Sequence, residues 1–161
     1  MPLIEPGKKA PAFTLVDQTG TKRSLKEFLG KPLVLYFYPK ADTSGCTTQA
    51  CAFNDELPTF KKLGGVQVVG VSPDPTSAIA KFAKKHKLSF TLLGEEPGED
   101  GTPKTIDKFG VWGEKSMYGK KYMGVIRTTY IIDAAGKVAK RFDNVKVPGH
   151  AEEVLEALKE L

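Results

Sequence analysis

The chain of 161 residues holds only two cysteines, Cys46 and Cys51, and only two histidines, His86 and His150. Two cysteines cannot form the disulfide framework that small secreted folds use in place of a large core. Two thiols with four residues between them would need two further metal ligands, and neither histidine has paired ligand spacing, so no metal site is expected. His86 reads as a helix-end cation near the last carbonyls, and His150 as a helix-start residue. No apolar run approaches the roughly 18–20 residues of a membrane helix. The opening Met1–Gly7 lacks both the basic-then-apolar pattern of a secretory leader and the Arg/Ser-rich character of a transit peptide. The expectation is a soluble, cytoplasmic protein without membrane contact. No internal repeat is present, and 11 Pro and 16 Gly are scattered as punctuation. With 40% hydrophobic residues recurring in regular runs, residues 1–161 read as one domain with its own core.

The excess of 24 Lys and Arg over 19 Asp and Glu gives a net charge of +5. Nucleic-acid binding does not follow from it. The pairs Lys8-Lys9, Lys61-Lys62 and Lys120-Lys121 and the run Lys84-Lys85-His86-Lys87 are short, far apart and free of interleaved aromatic platforms. They read as solvated faces, able at most to steer an acidic protein partner.

Along the chain, Ala12–Val16, a turn at Asp17–Gly20 and a short following strand form an N-terminal hairpin. Ser24 and Glu27 fit a capping box for a short helix that Gly30 closes. Leu33–Tyr38 is apolar at consecutive positions, as a strand buried on both faces must be. Pro39 stops it, and a small-residue loop leads into a helix from Cys46, whose face runs Cys46, Ala50, Phe53, Leu57, Phe60. Pro58 should break or restart that helix, because it has no amide hydrogen to donate. Gly64-Gly65 ends it, and Val66–Val71 is the next buried strand. A helix carrying Ile79, Phe82, Ala83 and His86 follows, then a strand at Phe90–Leu93, an acidic loop from Gly94 to Pro103 and a short helix from Lys104 to Phe109. Thr128–Asp133 and Lys137–Phe142 form a hairpin around Gly136, and a final helix runs from His150 with Val154, Leu155, Leu158 and Leu161 inward. Buried strands joined by crossover helices, with a terminal antiparallel hairpin, give a three-layer α/β/α sandwich. Sites in such sheets form where a strand's carboxyl end meets the next helix. Cys46 occupies such a junction.

At a helix start, unpaired amides and the dipole favour an anion, and a thiolate is one. A free thiol near pKa 8.5 is only about 3% ionised at pH 7, so stabilisation there would make a nucleophile. Burial as an inert core thiol is the competing reading for Cys46 alone. Cys51 lies about 140° around the helix and about 8.6 Å away between Cα atoms. A disulfide needs Cα atoms within about 7 Å. A redox pair would therefore have to unwind the helix in each cycle, which the moderate helix formers Thr47, Thr48 and Gln49 would ease. Otherwise Cys51 packs beside Phe53 and never meets Cys46.

The run from Tyr36 to Cys51, YFYPKADTSGCTTQAC, resembles the active-site segment of peroxiredoxins, with the family's proline, threonine and cysteine at Pro39, Thr43 and Cys46. The second cysteine at Cys51 is the mark of the peroxiredoxin Q, or bacterioferritin comigratory protein, subfamily. The similarity continues through Gly7–Phe13, Gly30–Pro32, Tyr118–Gly124 and Arg127–Asp133. Ser44 and Gln49 depart from it, standing where many relatives have Pro and Glu; Gln49 removes a charge that would oppose a thiolate. The resemblance implies a thioredoxin-like fold with an N-terminal β-hairpin, and reduction of hydrogen peroxide and organic hydroperoxides without a cofactor. It assigns Cys46 as peroxidatic and Cys51 as resolving cysteine, closing an intramolecular disulfide. Thr43 would hold the peroxide, Pro39 would shield the thiolate, and Arg127 would stabilise the thiolate and orient the substrate. Thioredoxin or a related dithiol protein would be the reductant. With both cysteines in one helix a monomer suffices for turnover, and a weak dimer is compatible with it. A disulfide reductase of thioredoxin type is the alternative enzyme, but it uses two intervening residues rather than four. A binding module with inert thiols is the non-enzymatic one.

Overall fold

The computed structural model describes residues 1–161. The strands are β1 (Thr14–Asp17), β2 (Lys22–Ser24), β3 (Leu33–Phe37), β4 (Gln67–Ser72), β5 (Thr91–Gly94), β6 (Trp112–Met117), β7 (Lys120–Val125), β8 (Thr128–Ile132) and β9 (Val138–Phe142). The α-helices are α1 (Ser44–Asp55), α2 (Leu57–Lys62), α3 (Thr76–Lys85), α4 (Lys104–Lys108) and α5 (His150–Lys159). Seven strands make one sheet in the order β2-β1-β5-β4-β3-β8-β9, and β6 and β7 pair separately. β3, β4 and β5 are parallel, while β1 and β8 flank them antiparallel. No helix is long and apolar enough to cross a membrane.

β3 lies between β4 and β8, which pair with both of its edges, and with a core packed on each face of the sheet all five of its residues are buried. Side chains alternate along a strand, which divides the interior in two. Val34, Tyr36 and Tyr38 join a core with α1, α2, α3 and α5 on one face of the sheet. Leu33, Leu35 and Phe37 join a second core on the other face, with Leu25 and Phe28 of a short 3-10 turn, Ile106 of α4, and Phe109. Both parallel crossovers, through α1 and α2 and through α3, run over the first face, as a consistent crossover hand requires when the sheet grows in one direction. This is the three-layer sandwich that the sequence implied.

The capping box is present, with the Glu27 carboxylate accepting from the Ser24 amide at 2.6 Å. It starts only a four-residue 3-10 turn, Leu25–Phe28, which Gly30 at φ +97° closes. The proline break also stands: α1 ends at Asp55 and α2 restarts at Leu57 with Pro58 in its first turn. Just before the break, the Asn54 side chain bridges to the α3–β5 connection. Its amide donates to the Lys87 carbonyl at 3.2 Å and its oxygen accepts from the Ser89 amide at 2.8 Å.

The β6–β7 hairpin is an element that the sequence reading left out. Its turn is Tyr118-Gly119, both left-handed at φ +51° and +78°, a tight hairpin turn that usually announces itself as Asn-Gly. The strands lack clear apolar alternation because Gly113 and Gly124 face each other and most other positions are exposed.

Candidate active site

β3 delivers the chain to Pro39, and α1 begins five residues later with Thr43 as its N-cap. The intervening loop is fixed from below. The Ala41 amide donates to the Asp74 carboxylate at 2.8 Å. Asp42, left-handed at φ +60°, sets its carboxylate between Lys85 Nζ and His86 Nε2, each at 3.0 Å. Hydrogen bonds from His86 and then Lys85 hold the Asp42 carboxyl below its ordinary range. His86 therefore serves the loop through its side chain, beyond the helix-end role expected of it.

Cys46 is the third residue of α1 and only 1% exposed. Arg127 reaches it from the short connection between β7 and β8. Its Nη2 donates to Cys46 Sγ at 3.4 Å and its Nη1 to Gln49 Oε1 at 2.5 Å. Gly45 leaves room for this approach, since a Cβ there would stand 3.2 Å from Nη2. Gln49 is buried one turn beyond the thiol. As a neutral acceptor it orients the guanidinium and leaves its positive charge uncompensated for the sulfur. Sequence reasoning took Gln49 as a moderate helix former and as a departure from the family pattern that removes a charge, without giving it a partner; its place beside Ala50 and Phe53 on the inward side of α1 was the available signal.

Pro39 is half-buried in the loop, and the exposed Thr43 donates its hydroxyl to the Lys40 carbonyl at 2.8 Å. Thr43 caps α1, and Pro39 lies in the loop that leads to it. Cys51 is half-buried, and both cysteines are free thiols. Burial, reinforced by the charge of Asp55, pushes the Cys51 thiol up and keeps it protonated near neutrality. The intact helix holds the two sulfurs on different sides, as the 140° spacing requires. Below lies an aromatic floor: Tyr36 packs on Phe53 with centroids 4.8 Å apart and stacks on Tyr38 at 5.4 Å. Burial pushes both phenols far above their usual range. They therefore stay neutral.

His150 opens α5 as expected, but fully buried, edge-on to Phe53 and Phe142. Its Nδ1 faces the Glu153 carboxylate at 2.6 Å and its Nε2 the Thr129 hydroxyl at 2.8 Å. Desolvation lowers its pKa below 6.5 despite Glu153. In the unfolded chain the imidazole protonates at its ordinary value near 6.5, while the folded one resists. The contribution to stability is therefore complete above that value and declines as pH falls from it toward the lower folded pKa. Thermal melts between pH 7.5 and 5 should show a steeper fall in Tm for the wild type than for His150→Asn; equal slopes would refute the assignment.

A buried thiol thus lies at a strand–helix junction with a guanidinium donating to its sulfur, an arrangement suited to thiol-based redox chemistry. The AhpC/TSA family model matches residues 6–141. Peroxiredoxin Bcp of Escherichia coli K12 is 44% identical over 157 residues, covering 98% of this chain and 97% of that protein. Peroxiredoxin Bcp of Bacillus subtilis is 43% identical over 158 residues, 98% and 97% of the two chains. Among solved structures, a Xylella fastidiosa PrxQ mutant superposes with a TM-score of 0.87 at 33% identity, covering 98% of this chain and 96% of that one. The bacterioferritin comigratory protein of Xanthomonas campestris, described in connection with alkyl peroxide reduction, gives a TM-score of 0.85 at 37% identity over 97% and 98%. The chain belongs to the AhpC/TSA family, within its Bcp/PrxQ peroxiredoxins. It has their thioredoxin-like fold and is a thiol-dependent peroxidase, using peroxide substrates and a thiol reductant.

Proposed function

We propose that Cys46 is the peroxidatic thiolate and Cys51 the resolving thiol of an atypical two-cysteine, thioredoxin-dependent peroxidase acting within one chain. The observation that carries this reading is the Arg127 guanidinium donating to the buried Cys46 Sγ while Gln49 anchors its other nitrogen. The Cys46 sulfur attacks the nearer peroxide oxygen and the O–O bond breaks. The departing oxygen takes a proton and leaves as water or an alcohol, and Cys46 is left as sulfenic acid. Arg127 stabilises the thiolate and the charge moving onto the departing oxygen. Thr43 offers its hydroxyl oxygen to the peroxide, and Pro39 keeps bulk water from the sulfur. After the start of α1 unwinds, the Cys51 sulfur displaces water from the sulfenic acid and closes the disulfide. A dithiol protein then reduces it by exchange, taking over the disulfide and restoring both thiols.

Hydrogen peroxide and organic hydroperoxides are both within this chemistry, and the Xanthomonas relative's link with alkyl peroxides supports the latter. Thioredoxin is the proposed reductant; the chain acts as a single domain, its two cores sharing one sheet, and as a monomer, since both cysteines of the proposed disulfide lie in one chain. A pair that alternates between thiols and disulfide suits a reducing cytoplasm.

One equivalent of hydrogen peroxide should consume both thiols and yield an intrachain Cys46–Cys51 disulfide by mass spectrometry. Amide exchange between residues 46 and 52 should accelerate in the same sample, with loss of helical far-UV signal. Disulfide formation with protection unchanged in that segment would rule out unwinding.

A further inference from the structure

The chemistry above leaves one inward-turned cation on the β6–β7 hairpin unused. Lys115 lies on β6, paired with Tyr122, and the diagonal neighbour Gly124 has no side chain. A Cβ at Gly124 would stand 3.1 Å from Lys115 Cδ. The lysine stem thus lies flat across the glycine, and its ammonium donates to the Val125 carbonyl at 3.0 Å. Lysine ordinarily extends its ammonium into water. This one is half-buried and turned along the hairpin toward its site end, where Arg127 follows two residues after Val125.

The connection that carries Arg127 belongs to no strand. Its backbone is held at successive points: the Val125 carbonyl by Lys115, the Ile126 amide by the Val111 carbonyl at 2.8 Å, and the Arg127 carbonyl by the Val145 amide at 2.8 Å. The Thr128 hydroxyl adds a side-chain tie to the Ile126 carbonyl at 2.7 Å, and of the two side chains that hold this stretch only Lys115 carries charge. Burial and then the charge of Arg127 lower the Lys115 pKa from its ordinary value, whereas Cys46 acts in the opposite direction. The ammonium thus sits on the carbonyl two residues before Arg127, whose guanidinium donates to Cys46 Sγ.

We propose that Lys115 is a positioning residue for peroxide reduction: it braces the Arg127 connection through the Val125 carbonyl and adds a second positive charge that favours the Cys46 thiolate. The inference rests on the assignment of Cys46 and Arg127 made above. Of the groups that could distort a titration, His150 of α5, which packs on Phe53 of α1, has its pKa lowered chiefly by burial and further by the charge of Arg127, and so favours the neutral imidazole. Tyr36 and Tyr38, facing α1 from the sheet, stay neutral, and Cys51 on the same helix is pushed up. On the hairpin, Glu114 is exposed and pairs with Lys121 at 3.6 Å.

The test is the pH dependence of Cys46 alkylation by iodoacetamide in a Cys51→Ser background, which needs neither peroxide nor reductant. Lys115→Met keeps the stem over Gly124 and removes the charge. It should raise the midpoint and lower the thiolate fraction below it by about 3- to 10-fold, the order expected for losing one nearby, partly screened charge. Lys115→Arg should restore the wild-type midpoint, and Arg127→Gln should raise it further. A wild-type midpoint in Lys115→Met, or one that Lys115→Arg fails to restore, overturns the role of Lys115 provided Arg127→Gln does shift it. If Arg127→Gln leaves the midpoint unmoved, the assignment of the site itself fails. Near-UV circular dichroism confirms the fold of each variant, and Lys115→Gln, read in the same way, replaces Lys115→Met should that variant melt.

Discussion

Replacing Cys46 with serine should abolish peroxide-dependent NADPH consumption in an assay coupled through thioredoxin reductase and thioredoxin. A serine hydroxyl at this position has no accessible anion near neutrality and forms no sulfenic acid, so no part of the cycle can begin. Cys51→Ser should behave differently. Its Cys46 still reacts once, consumes one equivalent of peroxide, and then halts as sulfenic acid or moves to sulfinic acid with more oxidant. This contrast separates the two thiols by role. Sustained thioredoxin-linked turnover in Cys46→Ser would falsify the mechanism, and undiminished turnover in Cys51→Ser would remove Cys51 from it.

The second large effect belongs to Arg127. Arg127→Gln should slow the reaction of Cys46 with hydrogen peroxide by about 10²- to 10³-fold, the usual loss when one preorganised donor to developing charge is deleted. In the proposed cycle the guanidinium would act twice, on the thiolate before attack and on the departing oxygen during it. Lysine should rescue poorly, because the two nitrogens that divide between Cys46 Sγ and Gln49 Oε1 form a planar fork that an ammonium cannot reproduce. Stopped-flow measurement of Cys46 oxidation, with fold checked by thermal melting, isolates the chemical step from recycling. A loss of less than about threefold would count against Arg127 as the site's principal cation.

How much of this was legible in the sequence depended on how locally each feature is encoded. The buried run Leu33–Tyr38, the proline break and the terminal helix state their places through apolar pattern and backbone chemistry, and they appear where those rules put them, except that α5 ends at Lys159 and leaves Leu161, expected to face inward, exposed. Cys46 was legible as a junction residue, and the family motif around it carried Pro39, Thr43 and Cys51. Arg127 had no local signal; only the resemblance singled it out, and the contact with Cys46 spans 81 residues. The β6–β7 hairpin stayed hidden because paired glycines and exposed side chains erase the alternation that reveals a strand. Gln49, Asp42, Asp74 and Lys115 were missed for a related reason: each acts through a partner that topology supplies, and nothing in their immediate sequence names it.

The side-chain bridge from Asn54 to Lys87 and Ser89 sets how far a working cycle disturbs the molecule. With α1's far end fastened to the α3–β5 connection, the chain set loose between Thr43 and Asn54 is about ten residues long, and α2 and the sheet beyond it need not move. Loops of that size close in about 10–100 ns and helical turns re-form within about a microsecond. Opening is therefore fast enough for the disulfide to close soon after oxidation, the bridged segment stays unwound until the reductant cleaves it, and the pace of recovery passes from the fold to the partner's concentration.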